Sequence, residues 1–192
     1  RSCDLGDDCV EQLLEGKREE ARQRLAVLSA EPYFGRLDFR EQGRPEAAPL
    51  YIGKRGMDRG ETGEPYIIDW RAPVASLFYS FTGGEESVQY EAPEGTIEGE
   101  VHRKRNLQIR DRTLQRVVES YVRGGDNLGI GDEFLLYRLG EKKDNRLRDI
   151  VSTIQAEQDR IIRAPRNLAL IIQGAAGSGK TTVALHRLAY LL

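Results

Sequence analysis

A glycine-rich loop near the end of the chain constrains the fold more than any other stretch. Residues 174–181 read G-A-A-G-S-G-K-T and match the pattern G-x-x-x-x-G-K-[ST]. The apolar run L-A-L-I-I at 168–172 precedes the loop and is predicted to form a buried parallel strand, and helical periodicity begins at Thr182. This order predicts the start of a P-loop (RecA-like) nucleotide-binding domain over 147–192, in an α/β protein.

The residue types in the loop suit phosphate chemistry. Glycines permit a tight turn that brings backbone N–H groups close to phosphate oxygens. Lys180 is predicted to contact the β and γ phosphates of ATP, and the Thr181 hydroxyl is predicted to bind Mg²⁺, which makes these two the catalytic candidates. The alternative is a turn that binds nothing. The predicted nucleotide-binding residues are Gly174, Ala175, Ala176, Gly177, Ser178, Gly179, Lys180, Thr181, Thr182 and Gln158.

Gln158 enters this set for its chemistry. A helix is predicted from Leu147 to about Pro165, because apolar residues recur there at helical intervals. Gln158 lies close to the apolar stripe, and its side-chain amide offers both a donor and an acceptor, which is what reading an adenine edge requires. The alternative is a glutamine at the margin of a helix.

Composition excludes several other classes. The net charge of -2 and the 31% of charged residues give no global attraction to nucleic acid or membrane, and no apolar run could span a bilayer. Together with the nucleotide loop this predicts a cytoplasmic protein with no membrane partner. The two histidines and two cysteines supply almost nothing for triads or metal clusters, and a weak Cys3–Cys9 pairing stays open.

The ends of the chain predict a fragment. It begins with Arg1 rather than Met and stops at Leu192 within the predicted helix. A nucleotide hydrolase also needs an acidic residue for Mg²⁺ and water, and usually an arginine. Both are expected beyond Leu192, so the fragment alone is expected to be inactive.

The remainder is predicted to contain three units. Residues 1–31 form a helical stub, with a helix over 8–28 that is either half of a coiled pair or an amphipathic helix on the next module. Residues 32–110 form a β-rich antiparallel meander or small barrel. Residues 111–146 form a helical connector, with a helix over 114–121 and a short one capped by Asp132 and ending at Gly140. The predicted strands are 33–39, 50–53, 66–70, 75–81, 87–90 and 96–105.

Two surfaces of the β-rich unit leave alternatives open. In D-W-R-A-P-V at 69–74, Trp70 either fills the core, with Asp69 pairing Arg71, or forms a docking surface. A hairpin rich in glutamate is followed by a basic stretch that either pairs with those glutamates or contacts nucleic-acid phosphates. The basic residues are Arg103, Lys104, Arg105, Arg110, Arg112, Arg116 and Arg123.

Several segments together resemble one family. Y-F-G-R-L-D-F at 33–39, Y-I-G at 51–53, D-W-R-A-P-V at 69–74, I-V-S-T-I-Q-A-E-Q at 150–158 and the stretch 174–192 are similar to the HelD-type proteins, relatives of UvrD-like superfamily 1 helicases. The loop is shared with UvrD-like helicases in general, whereas the first and third segments point to the narrower family. The resemblance gives Gln158 the adenine-reading role, Lys180 the phosphate role and Thr181 the Mg²⁺ role.

The family resemblance implies an ATP-dependent motor that binds RNA polymerase and promotes its release from nucleic acid, with DNA or RNA as further partners. In the family an N-terminal coiled coil enters a polymerase channel, but only a stub of such a coil precedes Pro32. The alternatives are a DNA-translocating helicase and a non-catalytic polymerase-docking module.

Overall fold

The computed structural model describes residues 5–60, 62–127, 135 and 150–192. Helix α1 (Leu5–Ala30) comes first, and seven strands follow: β1 (Gly35–Glu41), β2 (Ala48–Gly53), β3 (Met57–Asp58), β4 (Pro65–Asp69), β5 (Val88–Ala92), β6 (Gly95–Arg110) and β7 (Thr113–Val122). A 3₁₀ turn (Pro73–Ala75) and helix α2 (Ser76–Ser80) lie between β4 and β5. A second 3₁₀ turn (Val151–Thr153), α3 (Ala156–Ile162) and α4 (Lys180–Leu191) complete the described elements.

The sheet is mixed and open, so the prediction of an antiparallel meander or barrel is only partly confirmed. Its order is β3-β4-β2-β1-β6-β5, with β7 also paired to β6. Strands β2 and β4 are parallel because the chain first forms the short β3 beyond the place that β4 takes, and then returns to pair with both. The residues of β3 lie outside the predicted strands.

The 16-residue strand β6 pairs with three strands, β1, β5 and β7. Lys104 on β6 lies opposite Leu37 of β1 and Tyr121 of β7, so these two strands occupy opposite edges of β6. Gly99 likewise lies between β1 and β5. Strands β5 and β7 therefore pair with different halves of the same edge of β6.

The helix predicted over 114–121 is wrong, because these residues belong to β7. Asp111 and Arg112 both have positive φ, 47° and 65°, and form the two-residue turn between Arg110 and its partner Thr113. Such a turn matches the twist of an antiparallel hairpin. Buried Val118 and Tyr121 are three residues apart, which is typical of a helix, and both are buried in this strand because a register shift leaves Ser120 as an extra residue between them.

The strand predicted over 75–81 is also wrong. Pro73 stands in the first turn of the 3₁₀ segment, where its fixed φ is compatible with helical geometry, and α2 follows directly. Leu77, Phe78 and Tyr79 are consecutive and all buried, which a half-exposed strand cannot achieve but a short helix enclosed by the core can.

Helix α1 confirms the prediction of an N-terminal helix over 8–28, but its apolar positions face solvent. Val10, Leu14 and Leu25 are 55%, 49% and 56% exposed. The end of the helix is attached to the sheet, where the backbone N–H of Arg112 donates to the carbonyl of Ala30 at 3.1 Å. An amphipathic helix lying along the next module is therefore not seen at these positions.

The region from 150 onward departs from its prediction in two places. The continuous helix is interrupted at Gln155, whose extended backbone (φ -84°, ψ 160°) separates the 3₁₀ turn from α3. The run at 168–172 is not a strand, and its Ile171 is 92% exposed, because no described strand lies beside it to supply the ladder of hydrogen bonds. Cys3 and the short helix predicted from Asp132, apart from Leu135, lie outside the described residues.

One core joins the sheet to the helices of the last region. Ile154, Ile162 and Val183 belong to the same buried cluster as Trp70 and Phe78. The glycine-rich loop is therefore attached, through α3 and α4, to the unit that the β-rich residues form.

Candidate phosphate-binding loop

The backbone between residue 174 and α4 forms the turn that the glycines predicted. Gly177 and Gly179 have φ of 78° and 83°, in the left-handed region that glycine adopts without strain. The N–H of Ser178 donates to the carbonyl of Ala175 at 3.2 Å. A Cβ at Gly174 would lie 2.6 Å from the Ser178 Oγ, so a side chain there would disturb the loop.

Helix α4 begins at Lys180 with Gly179 as its N-cap, and no side chain caps it. The first N–H groups of an α-helix have no intrahelical partner and carry partial positive charge. They lie at the end of a loop whose residues 173–178 are exposed. The predicted loop and helix order is confirmed at this point, and the arrangement suits an anion such as phosphate.

Lys180 lies across the loop. Its Nζ donates to the carbonyls of Gly174 and Ala175 at 2.8 and 2.7 Å. The ammonium group is thus held beside the backbone that would surround a phosphate. Thr181 is exposed in the first turn of α4, and Thr182 accepts a contact from the His186 ring at its carbonyl, Nδ1 to O 2.8 Å.

Gln158 has a structural role in the described state. Its Oε1 accepts a hydrogen bond from the backbone N–H of Gln155 at 3.0 Å. The side chain of Gln155 in turn accepts a hydrogen bond from the backbone N–H of Gln158. This is a capping box at the start of α3. The side-chain amide of Gln158 therefore lies near the start of α3, and its oxygen is occupied by the backbone N–H of Gln155.

The capping box permits a sharp test of the adenine role. Glutamate can replace glutamine as the acceptor in a capping box, but it lacks the amide donor. If the donor reads adenine, Gln158→Glu should raise the Kd for ATP relative to GTP by roughly tenfold, since a bidentate amide contact is worth about 1 to 3 kcal/mol. The two Kd values are measured by isothermal titration calorimetry.

The control for that test is Gln158→Ala, which removes the cap as well. It should cost about 1 kcal/mol of stability, whereas Gln158→Glu should not. An unchanged ATP to GTP ratio in both variants would leave Gln158 a capping residue only.

Arg163, which the sequence did not single out, joins the loop region to the sheet. It follows α3 and forms an ion pair with Asp159, Nε to Oδ1 2.7 Å, with only 11% and 5% of the two side chains exposed. Burial raises the pKa of Asp159, although the Arg163 guanidinium opposes the shift. Arg163 also donates to the carbonyls of Trp70, Arg71 and Ala72. The i, i+4 spacing of Asp159 and Arg163 was the available signal.

The contacts of Arg163 with the carbonyls of Trp70, Arg71 and Ala72 form a joint between α3 and the sheet. The D-W-R-A-P-V segment is the sheet side of this joint. Trp70 is 5% exposed and meets the His186 ring of α4 edge-on at 6.1 Å. Burial raises the pKa of Asp69, but hydrogen bonds from Arg71 outweigh it and the net pKa is lowered. The core interpretation of Trp70 and the Asp69–Arg71 pair are confirmed.

The basic stretch is partly paired with carboxylates. Arg103 and Arg105 both contact Glu119, at 3.1 and 2.7 Å, and Arg123 lies 3.6 Å from Glu100. Of the glutamates in the hairpin, Glu100 thus has a basic partner from that stretch. These partly exposed pairs support the interpretation of a paired surface at these residues.

The fold and site define a class of protein in which a β-rich module shares its core with α3 and with the helix that follows a glycine-rich loop. The family model described as DNA helicase IV HelD, N-terminal domain, matches residues 6–133, which is 128 of the 192 residues. The chain therefore belongs to the HelD family, a helicase-like family. No curated protein matches the chain.

Two further observations bear on the class. Across the described ranges, no helix combines the length and apolar character needed to cross a bilayer. The same residues contain no group of three or more histidine, cysteine or carboxylate side chains arranged to hold a metal ion.

Proposed function

We propose that residues 174–182 bind the phosphates of ATP, and that the chain is part of an ATP-dependent protein related to superfamily 1 helicases. The observation that carries this proposal is the position of Lys180 at the uncapped start of α4, with its Nζ 2.8 and 2.7 Å from two loop carbonyls. A turn without a ligand requires neither an uncapped helix end nor a lysine at that place. Membership of a helicase-like family supports the same function.

Each residue of the loop has a stated part in this proposal. The N–H groups of the loop and of the first turn of α4 donate to phosphate oxygens, and the left-handed glycines keep that backbone accessible. Lys180 exchanges the two carbonyls for phosphate oxygens, which satisfy an ammonium group better because they are charged. The exposed Thr181 hydroxyl is a ligand for the Mg²⁺ that accompanies ATP. The nucleotide supplies the phosphoanhydride bond that the whole protein would cleave.

The test is Lys180→Ala. Because a hydrogen bond to a charged group contributes about 1.5 to 3 kcal/mol, the Kd for Mg-ATP should rise about 10- to 100-fold in calorimetric titrations. Lys54→Ala is the matched control, since Lys54 is also partly exposed but pairs with Glu31 at the end of α1. Equal affinity in Lys180→Ala and the unsubstituted chain would refute the loop as the nucleotide site.

The partner proposed from the family resemblance is RNA polymerase, with release of the polymerase from nucleic acid as the outcome. The β-rich module is the part that would dock, because the family model matches residues 6–133, which contain the module and lie before the nucleotide loop. The same Lys180→Ala variant should therefore retain RNA polymerase in a pull-down while it loses ATP affinity. Loss of both properties would contradict separate docking and nucleotide sites.

A second candidate is an ATP-dependent DNA helicase or translocase. The description of the matching family as DNA helicase IV favours it. ATP-dependent unwinding of a tailed DNA duplex by the whole protein, without RNA polymerase, would select this alternative.

A further inference from the structure

A cavity separate from the glycine-rich loop lies where the sheet meets α3. It has a volume of about 360 Å³. Phe78 and Phe81 from the α2 region, Lys104 and Tyr121 from β6 and β7, and the stretch 152–157 form its walls. The walls of the cavity therefore come from the β-rich module on one side and from the segment that begins α3 on the other.

Lys104 is the cationic group of this cavity. Its Nζ donates to the carbonyl of Phe81 at 3.0 Å and lies 5.2 Å from the centre of the Phe78 ring. An ammonium group has three donors, so two remain after the bond to Phe81. Burial lowers the pKa of Lys104 to about 8, and the nearby Glu85 carboxylate opposes that shift. Glu85 is itself held by the backbone N–H groups of Thr82 and Gly83.

The stretch 152–157 brings a buried hydroxyl to the cavity lining. Ser152 is 6% exposed, and its Oγ finds no hydrogen-bond partner within the described part of the chain. An unsatisfied buried hydroxyl costs free energy, so its presence in a cavity wall calls for a ligand.

The side-chain amide of Asn106, which also lines the cavity, is oriented by its neighbour Ser120. The Ser120 hydroxyl donates to the Oδ1 of Asn106 at 2.7 Å, which assigns the acceptor side of that amide and leaves its NH₂ as the donor side. Asn106 is 8% exposed and lines the same cavity. Glu157 is the carboxylate among the lining residues, and it is exposed at the rim.

We propose that this cavity binds a small metabolite through an oxyanion, a phosphate or carboxylate group, which Lys104, Ser152 and Asn106 contact together. The aromatic walls of Phe78, Phe81 and Tyr121 cover the rest of the molecule. A bound molecule would connect β6 and β7 to the segment that begins α3. The proposal does not depend on nucleotide binding at the loop.

The test measures thermal unfolding at pH 7 in a Lys180→Ala background, where phosphate bound by the loop lysine contributes least. Inorganic phosphate and citrate are the two probes, each at about 10 mM and compared with chloride of equal ionic strength. We expect phosphate, citrate or both to raise the Tm by about 2 to 4 °C. The larger response tells whether the natural oxyanion is a phosphate or a carboxylate.

Two variants assign the effect to the cavity. Lys104→Met keeps an unbranched side chain without the ammonium group and should abolish the Tm rise, whereas Lys54→Met, which removes one charge elsewhere, should preserve it. Ser152→Ala should raise the Kd for the effective probe roughly tenfold in calorimetry, since it removes one hydrogen bond to a charged group. This smaller substitution decides the matter if Lys104→Met does not fold. Absence of a Tm rise with both probes, or an equal rise in Lys104→Met, would overturn the proposal, as would an unchanged Kd in Ser152→Ala.

Discussion

Replacing Arg163 by alanine is expected to destabilise the chain by about 3 to 5 kcal/mol at pH 7, because removing one partner leaves the other charge of a buried pair uncompensated. That other charge is the carboxylate of Asp159, which is 5% exposed. The carbonyls of Trp70, Arg71 and Ala72 lose a donor at the same time. Urea unfolding followed by circular dichroism measures the free energy.

The pH dependence identifies the cause of this loss. Burial already raises the pKa of Asp159, so the folded state holds that proton more tightly than the unfolded state, and stability falls as pH rises above the ordinary carboxyl range. Without Arg163 the pKa should rise further, and the destabilisation should be smaller at pH 5 than at pH 7.

Arg160 in the last turn of α3 offers a matched control, since it is exposed. Arg160→Ala should change stability by less than about 0.5 kcal/mol. If Arg163→Ala proved as mild as Arg160→Ala, the joint would not depend on the guanidinium group.

Replacing Trp70 by alanine is the second large effect. Trp70 is 5% exposed, and its ring contacts the His186 ring of α4. Truncating a buried aromatic side chain costs about 3 to 5 kcal/mol, so the unfolding midpoint in urea should fall steeply. Because Trp70 is the single tryptophan of the chain, the variant must be followed by circular dichroism rather than by tryptophan fluorescence.

Trp70→Phe is the control for lost volume, since it keeps an aromatic ring in the same space and should recover most of the stability. RNA polymerase binding is then measured with the Phe variant. Unchanged binding would show that Trp70 serves the core, and lost binding in this stable variant would show that Trp70 also takes part in the proposed docking. A Trp70→Ala variant as stable as the unsubstituted chain would contradict the burial of this side chain in solution.

Local chemistry explains which parts of the fold could be predicted. Gly177, Gly179 and Lys180 produced the expected loop and helix because their backbone preferences act within a few residues. The strand predicted over 75–81 was wrong because aromatic and apolar side chains in succession suit a buried strand and a buried helix equally. The helix predicted over 114–121 was wrong because the apolar spacing fits a helix as well as a strand with a bulge. Pairing with β6 makes these residues a strand.

The candidate sites show the same limit. Lys180 was found because a motif carries its chemistry over a short span. Arg163, Lys104 and Ser152 were not given these roles because their partners come from distant parts of the chain: the carbonyl acceptors of Arg163 lie more than 90 residues earlier. No pattern in sequence reveals which main-chain carbonyls a guanidinium group will reach. Only the packing of α3 against the β4–α2 connection does so.

The three carbonyls that accept hydrogen bonds from Arg163 belong to the main chain, so they are present whatever side chains these positions carry. Replacing the side chain of Arg71 or Ala72 leaves every one of those acceptors in place, so the turn can change its surface chemistry, and with it any partner it meets, while the attachment persists. The same freedom does not extend to the donor, because lysine lacks the planar fork that serves several acceptors. The joint is thus robust to mutation on one side and vulnerable at a single codon on the other.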